Sequence, residues 1–338
     1  MKFLIVGLGS MGKRRIRNLH ALGFDSITGF DLRNDRRLEA EGKYGIKTID
    51  DLSKIDLRKL TAMFISVPPD KHMLYANIAS DAGVHCFIEA SVVKDGIAEL
   101  IEKTKNSSLK IYASSTFRFH PTVKKIKQLI DEGCLGTISN FSYHSGQYLP
   151  DWHPWESIKD FYVSKRETSG CREIVPFELS WLSWILGDVK RITGFNEKTI
   201  DLDVDIDDVY AFAVHFQNGA VGTMLIDVVS RQHIRHLVLN GEKGQLIWNW
   251  QDKFLKFYDA KESSFVHYYE PEGAAAIGYS KLIIEEMYIE EIRAFIESIE
   301  NDSEVVQTLE SDLRILDCLY AIEDSNANNK IVLLGDSV

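Results

Sequence analysis

No stretch of the sequence approaches the ~18 consecutive apolar residues of a membrane span, so no crossing of a bilayer is expected. Lys2 ahead of an apolar run imitates a secretory signal. The run is short, glycine interrupts it, and no small-residue cleavage site follows. Cysteine is scarce: Cys86, Cys134, Cys171 and Cys318 form no C-x-x-C pair, which speaks against a structural zinc site and for a reducing compartment. A cytoplasmic protein is expected. Positive charge is in deficit, with 39 Lys and Arg against 50 Asp and Glu and a net charge of −11. That balance argues against nucleic acid or an anionic membrane as partner. Repeats and low-complexity segments are also missing. The aspartates at 201, 203, 205, 207 and 208 lack the glycine and terminal glutamate of a calcium loop. They read as a solvated acidic loop, and no metal is expected.

What is present begins at once. Lys2 to Val6 is a short apolar run rich in branched side chains, as a buried parallel strand requires. Gly7, Gly9 and Gly12 follow in G-x-G-x-x-G spacing, and Lys13 to Ala21 reads as a helix. The first glycine makes a tight bend, the second lets a pyrophosphate approach the backbone, and the third lets helix pack on strand. The phosphates then rest on the helix N-terminus. A second strand, Ser26 to Phe30, ends in Asp31, 19 residues after Gly12, where an acid holds the adenosine ribose hydroxyls. Gly7, Gly9, Ser10, Met11, Gly12 and Asp31 are therefore candidate dinucleotide contacts. Lys13, Arg14, Arg15 and Arg17 put positive charge at the helix start. Either a bound pyrophosphate offsets this, or the cluster is a solvated helix face.

At 338 residues the chain is long enough for two domains. Up to about Ser114, strands alternate with helices, as in a doubly wound parallel sheet. Ala62 to Val67 is closed by Pro68 and Pro69. Asp70 to Asp81 reads as a helix with Asp70 as its N-cap, and His85 to Glu89 and Leu109 to Ala113 are further strands. Ligands bind at the carboxyl ends of such strands, which brings the glycine turn, Asp31, Val67 to Pro69 and Glu89 to one edge. After Pro121 the pattern changes. A helix at Thr122 to Glu132 precedes strand signals that run to about Tyr269. Val209 to Phe216 and Ala220 to Val228 flank Asn218-Gly219, and His236 to Asn240 and Gln245 to Trp250 flank a second hairpin turn. Helices at Tyr288 to Ile299 and Thr308 to Glu323 close the chain. The expected fold class is α/β: an N-terminal Rossmann domain, 1–120, and a C-terminal α+β domain, 121–338, with a large, mostly antiparallel open sheet.

Between the two patterns lies an aromatic loop, Gly146 to Glu156, in which Tyr148, Trp152, His153 and Trp155 form either a sugar-stacking wall or a satellite hydrophobic cluster.

These features in this order resemble the Gfo/Idh/MocA oxidoreductase family, whose namesakes are glucose–fructose oxidoreductase and inositol dehydrogenase. K-F-L-I-V-G-L-G-S-M-G resembles the family's opening strand and turn. S-V-P-P-D-K-H, Ser66 to His72, is similar to the segment whose proline loop lies along the nicotinamide half of the cofactor. The resemblance thereby adds Ser66, Val67, Pro68, Pro69 and His72 to the cofactor set, with Glu89. F-R-F-H-P, Phe117 to Pro121, is similar to the family's domain junction, and Tyr148 to Trp155 resembles members of surface-sugar and nonulosonic-acid biosynthesis. The departures fall at the chemistry. Where members carry Glu-Lys-Pro, this chain has Glu89-Ala90-Ser91, without the lysine credited with proton transfer. Where members carry a histidine, counting from Gly170 gives Glu178.

The resemblance implies an NAD-dependent oxidoreductase acting on a hydroxyl or keto group of a sugar, sugar acid or nucleotide sugar. The alternative is a non-redox protein on the same scaffold, either a sensor or partner subunit or an enzyme that keeps NAD for lyase or hydrolase chemistry. Glu178, on a helix starting near Pro176, is the expected proton acceptor, with Glu173 in reserve. Arg118 and Arg172 suggest an anionic substrate group, or else structural ion pairs, and join Tyr148, Trp152 and Trp155 as substrate candidates. NAD is expected over NADP because Asp31 repels a 2′-phosphate, while Arg33 leaves NADP possible. Val209 to Phe216 is apolar on both alternating faces, so a homodimer or homotetramer through the sheet is expected.

Overall fold

The computed structural model describes residues 1–152, 157–273 and 284–335. The chain forms two compact units, Met1–Thr116 with Glu286–Leu313, and Phe117–Glu285 with Arg314–Val338.

In the first unit, β1 (Phe3–Val6), α1 (Ser10–Ala21), β2 (Ile27–Phe30), α2 (Asn34–Tyr44), β3 (Lys47–Ile49) and β4 (Ala62–Ile65) are followed by α3 (His72–Asp81), β5 (His85–Ile88), α4 (Ile97–Thr104) and β6 (Ile111–Ala113). The strands form one parallel sheet in the order β3-β2-β1-β4-β5-β6. The order in which strands are added reverses between β1 and β4, the position at which a doubly wound sheet opens a ligand crevice. Every residue of β1 and β4 is buried, which explains their unbroken apolar runs. Asp70 does not cap α3. It lies in a 3-10 turn, Pro69–Lys71, pairs with Lys71 at 3.1 Å, and leaves Lys71 at the cap position.

The linear division at residue 120 misses the return of the chain. Helix α7 (Glu285–Glu300) lays Ile292, Phe295 and Ile296 into the core of the parallel sheet. The Phe295 ring lies 5.7 Å from Phe64 and from Phe87 and 5.8 Å from Tyr112. Such burial is worth roughly 1.5–3 kcal/mol per large side chain. An apolar stripe states that a helix packs, not which sheet receives it.

The second unit contains α5 (Pro121–Asp131), β7 (Ile138–Tyr148), α6 (Gly170–Leu186), β8 (Val189–Glu197), β9 (Val209–Phe216), β10 (Val221–Asp227), β11 (Val229–Gly241), β12 (Gly244–Asn249), β13 (Phe254–Asp259) and β14 (Ser264–Tyr269). Most of α8 (Leu309–Asn328) and the short β15 (Val332–Leu333) complete it. The sheet runs β14-β13-β12-β11-β7-β10-β9-β8-β15, antiparallel except for the β10–β7 pair. Along β9, Tyr210, Phe212, Val214 and Phe216 are buried while Val209, Ala211 and Ala213 are only partly covered or exposed. Helix α6 begins at Gly170, six residues before Pro176, which it carries inside. The acidic loop is only partly solvated. Asp208 is buried, and its carboxylate accepts the Thr199 and Ile200 N–H groups at 2.9 Å.

Candidate functional site

In the first unit the carboxyl ends of β1, β2, β4 and β5 carry the expected cofactor residues. Gly7 has φ +90°, and a Cβ there would stand 2.5 Å from the Ser66 carbonyl oxygen. At Gly12 a Cβ would stand 1.8 Å from the Gly7 oxygen, so only glycine lets α1 start this close to β1. The first turn of α1 has no side-chain cap and no acidic residue. An uncapped helix N-terminus reached through a glycine turn fits a pyrophosphate.

Asp31 is buried at the end of β2. One carboxylate oxygen accepts Leu8 N–H and the other accepts Arg33 N–H, both at 2.8 Å. The carboxylate thus holds the glycine turn and keeps lone pairs for ribose hydroxyls. The Arg33 side chain is turned to Asp35, donating at 3.1 and 2.6 Å. Arg36 takes the place foreseen for it. Its Nη1 stands 3.8 Å from Asp31 Oδ2 and flanks the position a Gly9 Cβ would take at 3.4 Å.

The proline loop follows β4. Ser66 Oγ donates to Glu89 Oε1 at 2.9 Å, and the buried His72 ring stands 3.0 Å from the Val67 carbonyl. Burial pulls the His72 pKa down to about 4, so its neutral ring donates Nε2–H and pins the loop. The basic cluster on α1 is not a solvated face. Arg15 is fully buried and bonded to Glu89 and Glu291, Lys13 pairs with Glu39 at 2.8 Å, and Arg14 lies 4.1 Å over the Tyr288 ring.

The second unit places the expected catalytic and substrate residues differently. Glu178 is 0% exposed on α6. Its Oε1 accepts Ser145 Oγ at 3.0 Å and Arg235 Nε at 2.8 Å, and its Oε2 accepts Tyr143 OH at 2.6 Å and Trp181 Nε1 at 2.7 Å. Four donors occupy the carboxylate. A base must offer a lone pair to substrate, so this geometry favours a structural anchor over the expected proton acceptor. Burial together with Glu178 holds the Tyr143 phenol well above its ordinary pKa. Glu173 is five residues earlier, about 140° around the helix, and accepts Tyr162 OH at 2.9 Å. The two glutamates are therefore not interchangeable.

Arg172 is committed as well. It donates to both oxygens of Glu323 at 2.6 and 3.1 Å and to the Glu167 carbonyl at 2.7 Å. Arg118 is buried and donates to the Ser180 carbonyl at 3.1 Å. Both belong to the fold's internal pairing. Trp152 packs its ring edge near Gly170, and Trp155 and His153 lie outside the described residues. Tyr148 stands with an arginine the motif reading passed over: the exposed Arg231 lies 3.8 Å over its ring. Arg231 sits where β11 slips register against β7, between Val229 and Ile234. Asp227 secures that bulge by accepting Val229 N–H at 3.0 Å and Ser230 N–H at 2.7 Å. Bulges re-aim side chains beside functional sites.

Two family models match the chain. The oxidoreductase-family model with an NAD-binding Rossmann fold matches residues 1–107, and the Gfo/Idh/MocA C-terminal domain model matches residues 123–247. The chain belongs to the Gfo/Idh/MocA oxidoreductase family. Its first unit is the family's NAD-binding domain. A levoglucosan dehydrogenase of Pseudarthrobacter phenanthrenivorans is 22% identical over 294 residues, 73% of each chain. A myo-inositol 2-dehydrogenase of Thermotoga maritima is 21% identical, and the alignment takes in 100% of both. The solved structure of a levoglucosan dehydrogenase in complex with NADH shares the fold at a TM-score of 0.87 and 19% identity, over 100% of both chains.

Within this Gfo/Idh/MocA chain, the motif reading missed Arg36, Tyr143, Arg231, Arg235 and Glu291. Arg36 was within reach, because it stands at the start of the helix that follows Asp31. Glu291 also leaves a trace, since it falls in the stripe of Tyr288, Ile292 and Phe295 on the buried face of α7. Tyr143 and Arg235 leave none: on alternating strands they look like ordinary inward-facing positions.

Proposed function

We propose that this chain is an NAD-dependent oxidoreductase that moves hydride between NAD and a hydroxyl or keto carbon of a sugar, sugar acid or nucleotide sugar. The observation that carries the reading is the uncapped start of α1 behind Gly7, Gly9 and Gly12, with buried Asp31 facing the same turn. Ser10 and Met11 complete the pyrophosphate cradle, Asp31 holds the adenosine ribose, and Ser66 to Pro69, fixed by His72 and Glu89, lie along the nicotinamide half. NAD supplies the hydride acceptor. The sugar class rests on the relatives named for levoglucosan and inositol. Tyr148 with Arg231 supplies a stacking face and a guanidinium for an anionic substituent.

A second reading is favoured by two observations. Ala90 takes the position of the family's usual lysine, and Glu178 is saturated by four donors. A scaffold that binds NAD without redox turnover would look the same. Purified protein is therefore mixed with NAD⁺ and panels of neutral sugars, sugar acids and nucleotide sugars, and absorbance near the nicotinamide band is followed. Reduction with any member supports the oxidoreductase. Tight NAD binding with no reduction across all panels supports the non-redox scaffold.

The exposed face of β7 to β10 suits a second copy of this chain. Ala211, Ala213, Leu225 and Phe195 line a shallow cavity of about 610 Å³ there, and Phe195 is 63% exposed. Among the described residues no helix is long and apolar enough to cross a membrane. The four unpaired cysteines fit a cytoplasmic location.

A further inference from the structure

The open face of the second unit's sheet carries a groove that none of the cofactor or substrate contacts above uses. Its residues stand in registered rows across the strands. Thr193, Ala213, Thr223 and Ser142 follow one another from β8 to β7 and make a floor of short side chains. The next row is taller: Arg191, His215, Val221, Asn140 and Asn240 run from β8 to β11. Both rows line a cavity of about 620 Å³. The chain has 50 Asp and Glu residues, yet none of them lines it.

Arg191 is exposed, and among the described residues no carboxylate pairs with it. Its Nε donates to His215 Nδ1 at 3.1 Å. A guanidinium only donates, so Nδ1 is the acceptor and the ring carries its proton on Nε2. Among the described residues, both Arg191 Nη groups and His215 Nε2–H are left without an acceptor. Farther along the row, Asn140 Oδ1 accepts Asn240 Nδ2 at 2.8 Å, and Asn240 Oδ1 accepts Gln245 Nε2 at 2.6 Å. The amide oxygens already accept within the row, so the surplus at this rim is of donors.

We propose that this groove is a binding site for a small oxyanion, a phosphate or carboxylate group held by Arg191 and His215. A guanidinium takes such a group through two parallel N–H bonds, and the imidazole N–H beside it adds a third. The hydroxyls of Ser142 and Thr223 on the floor suit a polar body carrying the anion. No residue of the cofactor set takes part, so the inference is independent of the NAD reading. The same face is offered to a second copy of this chain, and a copy seated there would enclose an uncompensated guanidinium, which is costly. In a two-fold contact the covering surface is this same face. Neither cavity on it is lined by Asp or Glu, so the counter-charge has to come from a free anion.

Calorimetric titration of the purified protein with inorganic phosphate, in a chloride medium of constant ionic strength, tests the site. NAD⁺ is kept saturating so that the glycine turn does not compete for phosphate. The parent should bind phosphate saturably. Arg191→Gln should weaken it by about tenfold or more, His215→Leu by about three- to fivefold, and Arg191→Lys, which keeps the charge without the fork, should fall between parent and Gln. Arg191 is exposed, so its variants should fold as the parent does. Equal phosphate affinity in the parent and Arg191→Gln, or no binding to the parent, overturns the inference. If Arg191→Gln is then also less associated by light scattering, the groove belongs to a carboxylate of the second copy. A monomeric parent with Arg191-dependent phosphate binding contradicts the assembly reading and leaves the anion site standing.

Discussion

Replacing Glu178 by glutamine separates a catalytic carboxylate from a structural one. Each oxygen of Glu178 accepts one hydroxyl and one N–H: Tyr143 OH with Trp181 Nε1, and Ser145 Oγ with Arg235 Nε. A hydroxyl can rotate to accept from an amide, but an N–H cannot. Whichever way the glutamine is turned, its NH₂ group faces either the indole N–H of Trp181 or the Nε–H of Arg235. One buried donor is orphaned at a cost of about 1–3 kcal/mol. Arg235, 9% exposed between the Phe117 and Trp250 rings, also loses its carboxylate. Breaking a buried ion pair costs about 3–5 kcal/mol. These costs overlap, and a net loss of about 3–5 kcal/mol is expected. At about 2–4 °C per kcal/mol that lowers the melting point by roughly 6–20 °C. All six tryptophans lie between residues 152 and 250, so intrinsic fluorescence follows the second unit alone. A midpoint within about 2 °C of the parent, joined to a 10²- to 10⁴-fold loss of turnover, would refute the anchor and return Glu178 to the role of base.

Three other outcomes are expected. Asp31→Ser should narrow the preference for NAD over NADP, because Arg36 remains beside the turn after the repelling carboxylate is gone; calorimetry showing NADP tighter in the parent contradicts the role given to Asp31. Acid should unfold the protein through its buried histidines. Burial lowers His120 to about 3 and His72 to about 4 from 6.5, so both stay neutral when folded while the unfolded chain takes up protons. Stability is then complete above pH 6.5 and falls as pH drops towards 3, by on the order of 5 kcal/mol for His120, and His120→Gln should flatten the slope in urea titrations read by tryptophan fluorescence. Light scattering at micromolar concentration should give a dimer or tetramer, and Leu225→Glu, on the exposed face of β10, should shift it towards the monomer; a monomeric parent contradicts the sheet-mediated assembly.

The sequence by itself was enough for whatever depends on neighbours along the chain. The strand, glycine turn, helix and Asp31 at the next strand end form one local unit. Alternation along β9 and the Asn218-Gly219 turn likewise carry their own geometry. The fold class, a parallel α/β sheet followed by a mostly antiparallel one, follows from the order of such units. Pairing between distant side chains was decided only by tertiary structure. Arg172 found Glu323, 151 residues away, and Arg15 found Glu89 and Glu291, 74 and 276 residues away. Nothing in the spacing of Glu178 announced that Tyr143, Ser145 and Arg235 would converge on it from two strands. A charged residue in a motif position looks the same whether it awaits a substrate or already has a partner. Burial decides the matter, because an unpaired charge in a low-dielectric interior is too costly to persist, and burial is a property of the packed chain.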